Sequence, residues 1–280
     1  MNKLSWLRTG NGIAGRLAPK RTAMRARHQF MTPREMPFPE RELACLQAAR
    51  QQTLAGGIDA LHWGKAGPLV LMMHGMDGRP TQFHSLIEAL LERGYQIIAP
   101  WGAAHGGSAG AEAHPLAFAQ TLLETADHFP DIHAVIGHSM GAAAAAIALE
   151  CGLPAGRAVM IGSPASLIGV MQRFARFIGL PESAFSHFQL AVEDRVGIPA
   201  EELELERHSW QQELPALVVH DRDDRIVPYS EAERIIAAAP SARLLATSGL
   251  GHHRILRDAA VVAEVTKLVD RASRKHRLVA

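Results

Sequence analysis

A chain of 280 residues, 48% of them hydrophobic, suits one large domain with a well-buried core, or a core with an insertion, better than two full domains. Its formal net charge of +1 argues against a general nucleic-acid partner, and Cys45 and Cys151 stand in no paired or ligand-like spacing, so neither a disulfide framework nor a metal site is demanded. A reducing, cytoplasmic setting is expected, with no transmembrane segment, because no apolar run approaches the length of a span and Asn11, Gly12, Gly15 and Arg16 interrupt what would be the core of a secretory signal.

The charge is unevenly spread. Lys3, Arg8, Arg16, Lys20, Arg21, Arg25 and Arg27 all precede the first acid, Glu35, so a basic arm leads a mildly acidic remainder. Residues 1–33 show no clean period and are expected to form an irregular arm. A solvated tail or surface-packing arm is preferred to the organellar transit peptide that such a composition also resembles. After an extended stretch marked by Pro33, Pro37 and Pro39, the spacing of Leu43, Leu46, Gln47 and Leu54 predicts a helix over 40–54, ended by Gly56-Gly57. Ile58–Trp63 reads as a short strand, and Leu69–Met73 as a continuous apolar strand buried on both faces. Thr81 is expected to cap a helix reaching about Arg93, with Phe83, Leu86, Ile87, Leu90 and Leu91 on one face. A strand at 95–99, a glycine-rich loop at 100–108 and a helix at 116–129 follow, with His105 of the loop given no catalytic role.

The strand Leu69–Met73 runs into His74-Gly75-Met76-Asp77-Gly78. At the carboxyl edge of a sheet, a glycine here lets the backbone approach a reacting carbonyl, which makes the Met76 amide a candidate oxyanion donor. Further on, Ala134–Ile136 enters Gly137-His138-Ser139-Met140-Gly141 and leaves it as an alanine-rich run of strong helix propensity. That is the strand–turn–helix context in which a Gly-x-Ser-x-Gly turn presents its serine, and a Cβ at either glycine would clash where strand and helix meet. The expected role of His138 is helix packing.

Past the strand at 158–161 the alternation breaks. Leu167, Val170, Met171, Phe174, Phe177 and Ile178, and after Pro181 a second set, Phe185, Phe188, Val192 and Val196, predict two amphipathic helices where a strand is due. Arg173 and Arg176, away from the stripe, are expected to face water, and Glu201–Glu206 to form a solvated face. A strand at 216–219, a helix at 230–239, a strand at 243–246 and a helix at 258–269 that Asp258 can cap complete the chain. The fold class expected is α/β, with a mostly parallel central sheet and helices on both faces.

A serine hydroxyl is a poor nucleophile at neutral pH; it needs a base within reach, and the base needs an acid to hold its tautomer. The loop after 216–219 offers Asp221, Asp223 and Asp224, and the loop after the next strand offers His252 and His253. Both loops open on the same edge of a parallel sheet as the elbow. On the residues alone both choices stay open, and Asp221, directly after its strand, can instead serve as a structural acceptor.

In His74-Gly75-x-x-Gly78, Gly137-x-Ser139-x-Gly141, Asp224-x-x-Val227-Pro228 and Gly249-x-Gly251-His252, in that order over roughly 57–269, the chain resembles the α/β-hydrolase-fold serine hydrolases. The resemblance implies Ser139 as nucleophile, Asp224 as acid, His252 as base and the amides of Met76 and Met140 as oxyanion hole, with His74, Gly75, Gly137 and Gly141 in support and no cofactor or metal. It also implies a core of residues 34–164 and 215–280, with 165–214 as a helical cap over the site. The loop at 100–108 keeps only His105-Gly106-x-Ser108 of the family's Arg-Gly-His-Gly-x-Ser turn, so any salt bridge from that arginine is missing.

The activity so implied is hydrolysis of a carboxylic ester or thioester through an acyl-enzyme. Acyl transfer or perhydrolysis would use the same residues, and a ligand-binding member of the fold would keep them without turnover. Phe174, Phe177, Phe185, Phe188 and Met171, with no clustered Arg or Lys, predict an apolar roof. The expected partner is a small-molecule ester with an uncharged aliphatic acyl chain of short to medium length.

Overall fold

The computed structural model describes residues 3–207, 214–239 and 241–270. Its strands are β1 (Arg50–Leu54), β2 (Ile58–Trp63), β3 (Leu69–Met73), β4 (Gln96–Pro100), β5 (Ile132–His138), β6 (Ala158–Ile161), β7 (Ala216–Asp221) and β8 (Arg243–Thr247). They form one eight-stranded sheet in the order β1-β2-β4-β3-β5-β6-β7-β8. β2 pairs antiparallel with β1 and β4, and every other pairing is parallel. The helices are α1 (Lys3–Leu17), α2 (Pro19–Met31), α3 (Glu40–Ala48), α4 (His84–Leu91), α5 (Pro115–His128), α6 (Met140–Glu150), α7 (Leu167–Ile178), α8 (Glu182–Val196), α9 (Tyr229–Ala238), α10 (Gly251–Arg254) and α11 (Ala259–Val269).

Helices cover both faces of the sheet, and the period-2 alternation of side chains sorts each central strand between two cores. On β3, Leu71 and Met73 pack with Phe118 and Leu122 of α5 and the alanines of α6. Val70 and Met72 pack with Leu86 and Ile87 of α4 and Val261 and Val265 of α11. Asp258 caps α11, its Oδ1 accepting from the amides of Ala260 and Val261 at 3.1 Å.

Four expectations are corrected. Residues 1–33 are not an irregular arm, because α1 and α2 occupy most of that stretch. Their contacts use small residues, which leave no large-apolar period to read: α2 buries Thr22, Ala23 and Ala26, and a Cβ on Gly15 would lie 2.5 Å from the ring of Pro181. The helix predicted over 40–54 stops at Ala48, and Arg50–Leu54 pairs with β2 through a turn in which Gly56 and Gly57 take φ of 78° and 75°. The glycine pair is thus a hairpin turn, and cross-strand pairing overrides local spacing. Thr81 caps no helix; its hydroxyl donates to the buried Glu42 carboxylate at 2.8 Å. In the acidic run, Glu204 and Glu206 hold Arg234 at 2.9 and 2.6 Å and so do not form a purely solvated face.

The segment 165–214 supplies α7 and α8. Together with the end of α2, they face the loops at the carboxyl ends of β3, β5 and β7 across a cavity. Residues 208–213 of that segment and 271–280 of the expected core lie outside the described residues.

Candidate active site

β5 ends at His138 and α6 begins at Met140, so Ser139 makes the turn alone, at φ 54° and ψ −125°. A non-glycine residue at such a φ costs on the order of 1–3 kcal/mol and persists only where its surroundings over-determine it. Here they do: a Cβ on Gly137 would lie 2.4 Å from Ala142 Cα, and one on Gly141 would lie 2.2 Å from the carbonyl oxygen of His74. The Ser139 amide donates to the Ile161 carbonyl at 2.9 Å, tying the turn to β6.

The loop after β3 is pinned from three sides. The carbonyl of Gly75 accepts from the Gly78 amide at 3.0 Å and from His74 Nδ1 at 2.7 Å, while the other nitrogen of His74 accepts from the Gly102 amide at 3.0 Å. Because the peptide is trans, fixing that carbonyl also fixes the Met76 N–H, which points to the side opposite the carbonyl oxygen. Gly75 itself abuts the elbow: a Cβ there would lie 2.8 Å from Ser139 Cβ. Met140 is the first residue of α6, where an amide has no intrahelical acceptor, and it lines the cavity with Met76. His105, to which the sequence assigns no catalytic role, is buried and hydrogen-bonded: its Nε2 accepts from the Asp77 amide at 3.1 Å, with Nδ1 donating to the Ala103 carbonyl at 3.0 Å. Arg34 grips the Asp77 carboxylate from the other side. Only the His105-Gly106-x-Ser108 fragment hinted at this role.

Of the three aspartates, Asp224 meets a histidine. His252 Nδ1 donates to Asp224 Oδ2 at 2.6 Å, and Asp224 Oδ1 accepts from the amides of Ile226 and Val227 at 2.8 and 2.9 Å. Burial alone would raise the Asp224 pKa, but the bonds from His252 and the two amides outweigh it and hold the carboxyl below its ordinary value. Asp221 points elsewhere, accepting from Thr247 Oγ1 at 2.7 Å and the Leu250 amide at 3.0 Å, and thereby ties the β7 and β8 loops together. Asp223 is exposed and accepts from the Gly249 amide. Gly162, at φ 57°, leaves room for the His252 ring: a Cβ there would lie 3.2 Å from His252 Nδ1. His253 is exposed on the cavity wall, its ring 5.2 Å from that of His252.

Ser139 and His252 open into a cavity of about 1260 Å³. Phe174 and Phe177 line it, as expected of the roof, but Phe185, Phe188 and Met171 do not; Phe188 is fully buried against Phe30 and Phe174. The wall also carries cations. Arg173 does not face water, since it pairs with the buried Glu231 and lines the cavity, and exposed Arg176, Arg225 and Arg257 line it with no carboxylate partner among the described residues. These side chains come from segments remote in sequence, so no local cluster announces them. Among the described residues no group of His, Cys, Asp and Glu is arranged to hold a metal.

Residues 70–265 match the Alpha/beta hydrolase family, and the chain belongs to it. Its fold is similar to that of an esterase from Pyrococcus furiosus, with a TM-score of 0.62 and 20% identity over 86% of this chain and 98% of that one. It is also similar to a membrane phospholipase A described as a bacterial virulence factor, with a TM-score of 0.61 and 18% identity over 81% of this chain and 87% of the other. The thioesterase domain from the curacin biosynthetic pathway gives a TM-score of 0.53 and 18% identity over 79% and 99%. Each likeness is one of fold. No curated protein matches the chain.

Proposed function

We propose that the protein is a serine hydrolase of carboxylic esters or thioesters that works through an acyl-enzyme. The observation that carries this reading is the 2.6 Å contact between His252 Nδ1 and Asp224 Oδ2, on a cavity that the strained elbow serine also lines. With its Nδ1 proton held on the Asp224 carboxylate, the imidazole of His252 offers the lone pair of Nε2. Ser139 Oγ attacks the acyl carbon as that nitrogen takes its proton, and the tetrahedral oxyanion accepts from the amides of Met76 and Met140. Collapse expels the alcohol or thiol, which takes the proton from His252. Water then adds to the acyl-enzyme, giving one proton to His252; that proton returns to Ser139 Oγ as the carboxylic acid leaves.

The cavity suits a small-molecule ester. Val170, Phe174 and Phe177 on its wall fit an aliphatic acyl group, while the unpaired arginines remove the reason for restricting the substrate to uncharged molecules. A panel of chromogenic esters of graded acyl length tests the reading. Turnover is expected, and Ser139→Ala should lower it by on the order of 10⁴-fold or more with the fold kept. Undiminished hydrolysis by that variant overturns the mechanism, and absence of turnover by the native chain across the panel favours a ligand-binding role.

A further inference from the structure

α1 presents an apolar stripe that the fold does not cover. At about 100° per residue, Trp6, Ile13 and Leu17 fall within about 40° of one another around the helix, and they are 66%, 56% and 82% exposed. The opposite face is the one the fold uses. Asn11 Nδ2 donates to the Ile178 carbonyl at 2.8 Å, and Gly15 closes on Pro181. Single exposed apolar side chains are ordinary, but three large ones aligned on one helix face mark a contact surface.

The surrounding charge says what contacts it. Arg16, Lys20, Arg21 and Arg25 are all exposed, Met24 stands 51% exposed among the last three, and no Asp or Glu occurs before Glu35. None of those four cations has an ion-pair partner among the described residues, whereas Arg27, turned inward, pairs with Glu112 at 3.2 Å. A stripe of Trp and aliphatic side chains flanked by unpaired cations is the composition of a helix lying in the headgroup plane of an anionic bilayer, with the apolar groups at the acyl boundary and the cations among phosphates. A second copy of this chain meeting on this face would set the same unpaired cations against one another, like charge facing like. No helix among the described residues is long and apolar enough to cross a membrane, so the contact is with its surface.

We propose that α1 and α2 dock the protein on an anionic lipid surface, with Trp6, Ile13 and Leu17 inserted at the interface. α1 is seated on the end of α7: a Cβ on Gly179 would lie 2.8 Å from Arg8 Cα, and Phe177, two residues earlier, is 58% exposed on the cavity wall. Docking on the stripe therefore places α1 between the bilayer and the end of α7, whose Phe177 lines the cavity.

Co-sedimentation of the full chain with vesicles tests this. Vesicles of equal parts phosphatidylcholine and phosphatidylglycerol should bind the protein, vesicles of phosphatidylcholine alone should bind it far less, and the difference should shrink as salt is raised. The combined variant Trp6→Ser, Ile13→Ser, Leu17→Ser should partition at least about tenfold less, with its melting temperature little changed because the three side chains are exposed. Lys20→Glu, Arg21→Glu, Arg25→Glu together should abolish the preference for phosphatidylglycerol. Equal binding to the two vesicle types, no binding to either, or undiminished binding by the serine variant overturns the proposal. So does a native dimer that the serine variant converts to monomer, which would make the stripe a self-association face. Binding is read without turnover, so the outcome stands or falls separately from the proposed hydrolase activity.

Discussion

His138 Nε2 donates to the backbone carbonyl of His252 across 2.9 Å, and the two rings lie 4.6 Å apart. Gln82 Nε2 donates to the other ring nitrogen at 3.0 Å. Burial, and then the proximity of His252, pushes the His138 pKa well below its ordinary value, so the ring stays neutral with its proton on Nε2. The residue before the candidate nucleophile therefore holds the loop of the candidate base, a role beyond helix packing. His138→Phe keeps a ring but removes both bonds, leaving the buried His252 carbonyl unsatisfied at a cost of about 1–3 kcal/mol. Steady-state kinetics should show kcat down by about tenfold or more with KM little changed. His138→Gln, which keeps a donor, should recover part of the loss.

The two buried aspartates should separate by phenotype. Asp224→Asn should lower kcat by on the order of 10³–10⁴ with only a modest loss of melting temperature. Asp221→Asn should do the reverse, because its carboxylate joins the β7 and β8 loops. Activity kept in Asp224→Asn and lost in Asp221→Asn or Asp223→Asn would reassign the acid.

The same carboxylates predict acid sensitivity. Burial tends to raise both pKa values, but hydrogen bonds prevail and hold both below the ordinary range: His252 and two amides at Asp224, and Thr247 with three amides at Asp221. Their stabilisation is complete above the ordinary carboxylate pKa of about 4 and is lost as pH falls from there through the depressed folded values. Melting temperature should therefore fall below about pH 4, and Asp221→Asn should shallow that fall.

Gly75→Ala places a Cβ within 2.8 Å of Ser139 Cβ and displaces the peptide that carries the Met76 amide. The expected result is a folded protein with kcat lower by about 10²-fold and slower labelling by a fluorophosphonate. Unchanged kcat would remove this loop from the reaction.

Arg176, Arg225 and Arg257 should be felt by substrate charge. An ester whose acyl chain ends in a carboxylate should exceed a neutral ester of equal length in kcat/KM by about fivefold at low ionic strength, with the advantage fading as salt screens it. Arg225→Ala with Arg257→Ala should depress the charged ester more than the neutral one.

Local order along the chain determines much of this protein. The runs that become β2, β3 and β6, the Asp258 cap and the strand–turn–helix at Ser139 each depend on contiguous residues, so an apolar period, a side-chain acceptor or a pair of glycines is legible by itself. Tertiary structure decided the rest. Arg50–Leu54 becomes a strand only because β2 lies beside it, and α1 escapes notice because glycine and asparagine make its contacts. Asp224 is distinguished from Asp221 by which partner each carboxylate reaches across the loop, and His138 joins a carbonyl 114 residues away. The arginines of the cavity converge from α7 and from the loops after β7 and α10. A side chain's partners are set by packing between distant segments, which residue spacing does not encode.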